Sequence, residues 1–320
     1  MDTQTPPFSD SDSVSSSPDE SVSTSTTRVA LPDSARDISM PLPLPQPLNI
    51  SGDQTEFKKI EDELLRKIRA KYTGYLWFFN VTKETFYQLQ DENSRNTRHF
   101  RYLYNFDERK LRIWMPARAH DSFVTQLVIL ISDKLRAAGL HNTACVPNLS
   151  PTLKFGNFAA QPDGCWGPFN SDDFTVCVEV ANSQSDAQLR NDARRWLEHT
   201  GSPFEICLTV KVSADKIVLS VWRPQARPDN GHGPWLRRRH RSATITHTAT
   251  IVRNSPNPTV ICESNTSSSS TRNEIRLPVV AFTGYQLPPG INVNPWDEII
   301  LTEDDLVALG RVHWIPRNGY

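Results

Sequence analysis

The sequence predicts an α/β fold, a mixed central sheet flanked by helices, preceded by a disordered tail and interrupted by a low-complexity insert. Three observations lead there. From Asp121 onward the chain reads helix–strand–strand–helix–strand–strand, which suits a mixed sheet with helices on its faces. Hydrophobic residues make up only 38% of the 320 residues, below the ~45–50% of a compact domain, so polar segments dilute a smaller core. The apolar run Val176-Cys-Val-Glu-Val180 carries a single carboxylate, Glu179, as a largely buried strand with a special role would.

Residues 1–53 are rich in Ser, Thr, Asp and Pro and end in the ladder Pro41, Pro43, Pro45, Pro47, a composition that cannot offset chain entropy by burial. Order is expected from Glu56, where Phe57, Ile60, Leu64, Leu65 and Ile68 have helical spacing. The aromatic-rich stretch 72–87 is expected to pack that helix onto the core. Strands at 100–106 and 110–115 join through the polar turn Asp107-Glu108-Arg109. A helix over 121–138 follows, with Phe123, Leu127, Leu130, Ile131 and Leu135 on one face and Gly139 as its stop. Strands are expected at 152–160 and 175–181, then a helix at 186–199 capped by Ser185 and ended by Gly201. Another strand pair, 204–212 and 216–222, turns at Ser213-Ala214-Asp215, which completes a core spanning 54–224. Residues 225–274 read as the low-complexity insert, with one strand at 243–252 inside it. Residues 275–320 return to the core as a strand at 275–285, then a short strand and a helix over 298–309 capped by Thr302.

Charge and cysteine usage narrow the function classes. With 35 Lys+Arg against 36 Asp+Glu the net charge is −1, so contact with nucleic acid requires a local patch. The five cysteines form no C-x-x-C pair, and Cys177 and Cys207 lie in apolar runs, which reads as reduced core thiols of an intracellular, nuclear or cytoplasmic protein. The acidic, serine-rich N-terminus lacks the apolar segment of a signal peptide, and no apolar run approaches the ~18 residues of a membrane span.

The chemistry is expected at Glu179. A carboxylate among Val176, Cys177, Val178 and Val180 costs several kcal/mol to desolvate unless it is paired or bound to a metal. Its nearest candidate partner is Asp163, in Pro162-Asp163, across a Gly/Pro/Asn loop expected over 164–173. Two carboxylates at one sheet edge would offer hard oxygen ligands to Mg²⁺ or Mn²⁺.

This order of motifs resembles the PD-(D/E)XK restriction-endonuclease-like superfamily, in which a Pro-Asp and a following acid-x-Lys lie on adjacent strands. The likeness is closer to a branch of endonuclease-like proteins with uncharacterised fungal-type members. There the second acid opens an E-V-x-x-S-x-S-like segment before a charged helix, and here Glu179-Val-Ala-Asn-Ser-Gln-Ser185 precedes such a helix. Met115-Pro-Ala-Arg-Ala-His-Asp121 is similar to the histidine-acid start of that branch's first helix. The match spans roughly a third of the chain. It implies a restriction-endonuclease-like sheet and a divalent metal held by Asp163, Glu179 and the Val180 carbonyl. It further implies phosphodiester hydrolysis with nucleic acid as partner. The chain departs from the pattern at Ala181, where the superfamily has lysine. A helical wheel buries Leu189, Ala193, Trp196 and Leu197, with Asp192 and Arg195 flanking them and Gln188 nearby. Arg195 is therefore the expected replacement cation, with Arg194 second.

Each residue also has a plainer reading. Asp163 suits a turn after proline, and Glu179 suits a structural ion pair with Arg195 or Arg194. His120 and Asp121 suit a helix N-cap better than ligands, and Arg195 a solvated helix face. Trp196 and Trp222 read as core aromatics. The basic run at 237–241, Arg-Arg-Arg-His-Arg, suits a solvated segment, a localisation signal or a phosphate-binding patch. The rival to a nuclease, intact or weakened, is a non-catalytic scaffold that keeps the fold and engages protein partners through its tails.

Overall fold

The computed structural model describes residues 48–49, 55–72, 74–91, 100–115, 118–140, 144–169, 171–182, 184–199, 201–226, 241–254, 257–264, 273–284, 287 and 290–314. The expected tail, apart from Leu48–Asn49, lies outside the described residues, as do most of the basic run at 237–241 and the serine run at 267–270. The architecture is mixed α/β, as expected, but it holds two large sheets and a small third one.

The first sheet runs β1 (Leu48–Asn49), β2 (Gly74–Phe79), β4 (Lys110–Met115), β3 (Arg101–Asn105), β7 (Phe158–Ala160), β6 (Leu153–Phe155). Its strands alternate. Leu76, Phe78, Tyr102, Tyr104, Leu111 and Ile113 bury one face against Ile60 and Leu64 of α1 (Thr55–Arg69) and Phe86 and Leu89 of α2 (Lys83–Gln90). The same period sends Tyr75, Arg101, Arg112 and Trp114 to the opposite face. That face matters because the second sheet stands across from it.

The second sheet runs β13 (Thr259–Ser264), β12 (Arg241–Val252), β11 (Lys216–Ala226), β10 (Ile206–Val212), β9 (Val176–Ala181), β8 (Gly164–Pro168), β5 (Cys145–Asn148). Only β9 and β10 among its neighbours pair parallel, and the crossover between them is α4 (Asp186–Glu198), as a parallel pair requires. Both faces of β9 are covered. Val176, Val178 and Val180 pack with Phe123, Leu127 and Ile131 of α3 (Arg118–Ala137). Cys177 packs on the other side with Ala193, Trp196 and Leu197 of α4. Trp196 and Trp222 are core aromatics, as expected. Four of the five cysteines are buried and none is disulfide-bonded. A two-stranded sheet, β14 (Ile275–Pro278) with β15 (Glu298–Leu301), and helices α5 (Val279–Thr283) and α6 (Glu303–Trp314) close the α3 side. No helix among the described residues is long and apolar enough to cross a membrane.

Four segments differ from expectation. The strand at 152–160 is a hairpin, β6 and β7, which turns at Gly156 (φ 55°) and joins the first sheet. Residues 164–168 are not loop but strand β8, antiparallel to β9. The insert at 225–274 holds the strand expected at 243–252 as β12 but adds β13, and both join the second sheet, because Thr and Val suit a half-buried pleat even where overall composition is polar. The strand at 275–285 stops at Pro278 and continues as the short helix α5.

Gly167 lets β8 lie tightly along the chain that enters β9: a Cβ there would sit 2.2 Å from the Asp173 carbonyl oxygen and 3.0 Å from the Phe174 Cα. Both obstacles are backbone and cannot swing away. Gly167→Ala should therefore destabilise the protein by about 1–3 kcal/mol, the range for overpacking a tight interior. Urea denaturation would show this as a lower midpoint at unchanged slope, and an unaltered midpoint would disprove the close approach.

Candidate active site between the two sheets

Asp163 immediately precedes β8, and its backbone N–H donates to the Val178 carbonyl at 3.0 Å. The β8–β9 register pairs Gly164 with Val178. Asp163 and Glu179 lie one residue beyond that last pair, and both side chains line one cavity. The two expected carboxylates are thus neighbours by strand pairing, without the long loop expected between them.

Asp163 is 1% exposed and heavily partnered. Its Oδ2 accepts from the Val180 backbone N–H at 2.7 Å and lies 3.1 Å from His120 Nε2. Arg101 approaches its Oδ1 with Nε at 3.5 Å, yet that buried Nε has no hydrogen-bond acceptor among the described residues. The same His120 Nε2 lies 2.9 Å from the Val180 carbonyl oxygen, and Nδ1 lies 3.2 Å from Asp121 Oδ1. Trp114 meets the imidazole edge-on at 4.3 Å between centroids. Burial alone would lower the His120 pKa, but the Asp163 and Asp121 carboxylates outweigh it and raise it to about 9. As an imidazolium, His120 donates from both nitrogens. It is not a cap: α3 begins at Arg118, so His120 and Asp121 sit in the first turn.

Glu179 is half-buried and accepts from the Trp196 indole N–H at 2.6 Å. Burial pushes its carboxyl well above the usual range, and the negative charges of Asp163 and Asp192 push it further. The indole N–H and Arg112 oppose that shift without reversing it. Neither Arg195 nor Arg194 pairs with Glu179. Arg195 Nη1 donates to Asp192 Oδ1 at 2.7 Å, while Arg194 Nε reaches Glu198 at 3.8 Å with its side chain 56% exposed.

Asp192 is the hub of this side of the cleft. It accepts from Arg195, from Arg112 Nη2 at 3.1 Å, from Gln184 Nε2 at 2.6 Å and from Gln188 Nε2 at 3.1 Å. Burial would raise its pKa, but Arg112, Arg195 and Gln184 together hold it below the usual carboxylate range. Ala181 is fully buried, and its register partner on β10 is Lys211. Lys211 Nζ donates to the Asn182 carbonyl at 3.2 Å and to the Gln184 carbonyl, bracing the β9–α4 loop.

Arg101, Arg112, Asp163, Glu179, Asp192 and Arg195 line one cavity of about 30 Å³, room for a single water-sized or ionic guest. All three side chains expected to carry chemistry, Asp163, Glu179 and Arg195, reach it. Sequence reasoning missed Arg101 and Arg112. Their signal was strand alternation, since both occupy outward positions of β3 and β4 flanked by core residues. Asp192 was placed beside Arg195 by the helical wheel, but not as the acid that captures two arginines. No group of three or more His, Cys, Asp or Glu side chains arranged to hold a metal occurs among the described residues.

No family model and no curated protein matches the chain. Among solved structures, a DUF820 protein from Anabaena variabilis described as a candidate nuclease aligns at a TM-score of 0.36 and 11% identity, over 65% of this chain and 90% of its own. A TM-score that low establishes neither fold family nor activity, so the residues alone bear the chemistry.

Asp192→Ala would leave Arg112 and Arg195 without their buried counter-charge, and should cost about 3–5 kcal/mol in denaturant unfolding. Asp192→Asn gives the pH signature. Because the folded-state pKa of Asp192 is depressed, its charge stabilises the fold above the unfolded value of about 3.8 and that contribution is lost as pH falls through the folded value. The stability gap between wild type and Asp192→Asn should accordingly be constant near neutrality and close in acid. A gap that widens on acidification would refute the assignment.

Proposed function

We propose that the protein is a weak divalent-metal-dependent nuclease of the PD-(D/E)XK type, with Asp163, Glu179 and the Val180 carbonyl as the ligands of Mg²⁺ or Mn²⁺. One observation supports this reading: the Asp163 and Glu179 carboxylates line one cavity of about 30 Å³ at the end of the β8–β9 ladder, next to Val180, whose N–H holds Asp163 Oδ2 at 2.7 Å. Two carboxylates and a carbonyl form a hard, all-oxygen donor set that suits Mg²⁺ or Mn²⁺. A cation between Asp163 and Glu179 would also relieve the repulsion that drives Glu179 towards its protonated form. When bound, such an ion acts as a Lewis acid and eases deprotonation of water near neutral pH.

The chain's own residues supply the rest. His120 and the Val180 N–H fix the Asp163 carboxylate in one orientation. The Trp196 indole fixes Glu179. Arg101, with its buried Nε lacking an acceptor, is the cation best placed to receive a phosphate oxygen. Arg112 and Arg195 add positive charge to the cleft, but Asp192 neutralises much of it. Arginine holds developing phosphate charge yet cannot accept a proton, because its pKa stays above ~12. With alanine at 181, and the amine of neighbouring Lys211 held by the Asn182 and Gln184 carbonyls, proton removal has no free amine to assist it, hence a slow enzyme.

A second reading has its own observation. Asp163 already has three partners, and Arg112 and Arg195 are both tied to Asp192, so most polar groups of the cleft are partnered as in a structural polar core. On that reading the protein is a non-catalytic scaffold with the nuclease-type fold.

Cleavage assays separate the two. Purified protein with Mn²⁺ should nick supercoiled DNA or cut single-stranded RNA, and chelation by EDTA should stop it. Asp163→Ala should abolish the activity. Arg101→Ala should slow it by about 10²–10³-fold, the effect of deleting one charge-stabilising donor. Absence of metal-dependent cleavage on any of these substrates would sink the catalytic reading and leave the scaffold.

A further inference from the structure

A second cavity lies at the other end of β3 and β4, away from the carboxylates, and it is far larger: about 600 Å³. That is within the ~300–1,000 Å³ of sites for small organic ligands. Lys83 reaches it from the first turn of α2, Phe106 and Arg109 from the β3–β4 turn, and Lys154 from β6. Tyr87 of α2 forms part of its wall.

Its charges are not balanced internally. None of Lys83, Arg109 and Lys154 is ion-paired with a carboxylate among the described residues, unlike the arginines of the candidate active site. Three cations face two acids on the lining, Glu84 and Asp107, which leaves an excess of one positive charge, and Asp107 also accepts from the Asn157 amide at 2.8 Å. The two lysines rest on aromatic faces. Lys154 Nζ lies 4.3 Å from the Tyr87 ring centre and 3.2 Å from its hydroxyl, and Lys83 Nζ lies 5.7 and 5.8 Å from the Tyr87 and Phe106 centres. Such exposed cation–π contacts are weak beside charge-assisted hydrogen bonds to phosphate. A phosphate entering the cavity would draw both ammonium groups off the rings and uncover two aromatic surfaces. A planar base is the group that would use them, and the volume is well beyond what a bare phosphate fills.

We propose that this cavity binds a nucleoside phosphate, with Lys83, Arg109 and Lys154 on the phosphate and Tyr87 and Phe106 against the base. The ligand is a free mononucleotide or the terminal nucleotide of a strand, chemistry common to both. This assignment does not depend on hydrolysis at Asp163.

Titration calorimetry on the full chain tests it with adenosine monophosphate, inorganic phosphate and a short 5′-phosphorylated single-stranded oligonucleotide. Adenosine monophosphate should bind at least about tenfold more tightly than inorganic phosphate, a difference of ~1.4 kcal/mol owed to the base. The exposed double variant Lys83→Gln/Lys154→Gln and the single variant Arg109→Gln should each weaken it by about tenfold or more at unchanged thermal melting, whereas Asp163→Asn should leave it unaltered. If the variants weaken the oligonucleotide in parallel, the occupant is a strand terminus; if the oligonucleotide fails to bind while the mononucleotide does, it is the free nucleotide. Equal affinity for inorganic phosphate and the mononucleotide, undiminished affinity in the variants, or loss of affinity in Asp163→Asn would each overturn the proposal.

Discussion

The structure of the cleft depends on one pairing, the antiparallel register of β8 with β9. It sets Asp163 beside Glu179 in a place where water is scarce, and two carboxylates so placed repel each other strongly unless positive charge or a proton intervenes. Much of the surrounding polar structure answers that constraint. The His120 imidazolium and Arg101 compensate Asp163, the Trp196 indole N–H holds Glu179, and the Val180 peptide contributes its N–H to Asp163 and its carbonyl to His120. These partners come from α3, β3, α4 and β9, so the electrostatic problem created by one strand pair is solved by both sheets and two helices.

A second charge cluster grows beside the first. Asp192 gathers Arg112 from the first sheet and Arg195 from its own helix, and the carboxylate stays ionised because two guanidinium groups and an amide meet it. The cleft is therefore nearly neutral, with cations available only to the degree that Asp192 and Asp163 release them. This balance sets the character of the proposed chemistry. A phosphodiester would compete with carboxylates already in place for the same guanidinium donors, which limits both binding and stabilisation of developing charge.

Much of the second sheet was legible in the sequence for a physical reason. Burial on both faces of β9 demands an unbroken apolar run, so the lone Glu179 announced itself, and the 3.6-residue period of Leu189, Ala193, Trp196 and Leu197 defined the buried face of α4. Pairing was harder to see. Gly164, Gly167 and Pro168 look like turn formers, and only the β8–β9 ladder reveals the segment as strand. The polar composition around β13 concealed a strand that pairing with β12 completes. Within the cleft, Asp163, Glu179 and Arg195 were accessible from local pattern, whereas Arg101 and Arg112 were not. Strand alternation marks them as outward-facing, but that this face meets α4 and β9 is a long-range packing event that local periodicity does not encode. His120 was read as a cap because a histidine-acid pair near a helix start usually serves the backbone; here the helix begins two residues earlier and the ring is directed inward.

Asp163, Glu179 and the Val180 carbonyl are proposed as the binding set for a divalent cation. Calorimetric titration of the wild-type protein and Glu179→Gln with Mn²⁺ tests it most directly. One ion per chain should bind the wild type, and Glu179→Gln, which keeps the shape but removes the anionic ligand, should lower the affinity by about tenfold or more. Superimposable isotherms for the two proteins, or no heat of binding in the wild type at millimolar Mn²⁺, would contradict it.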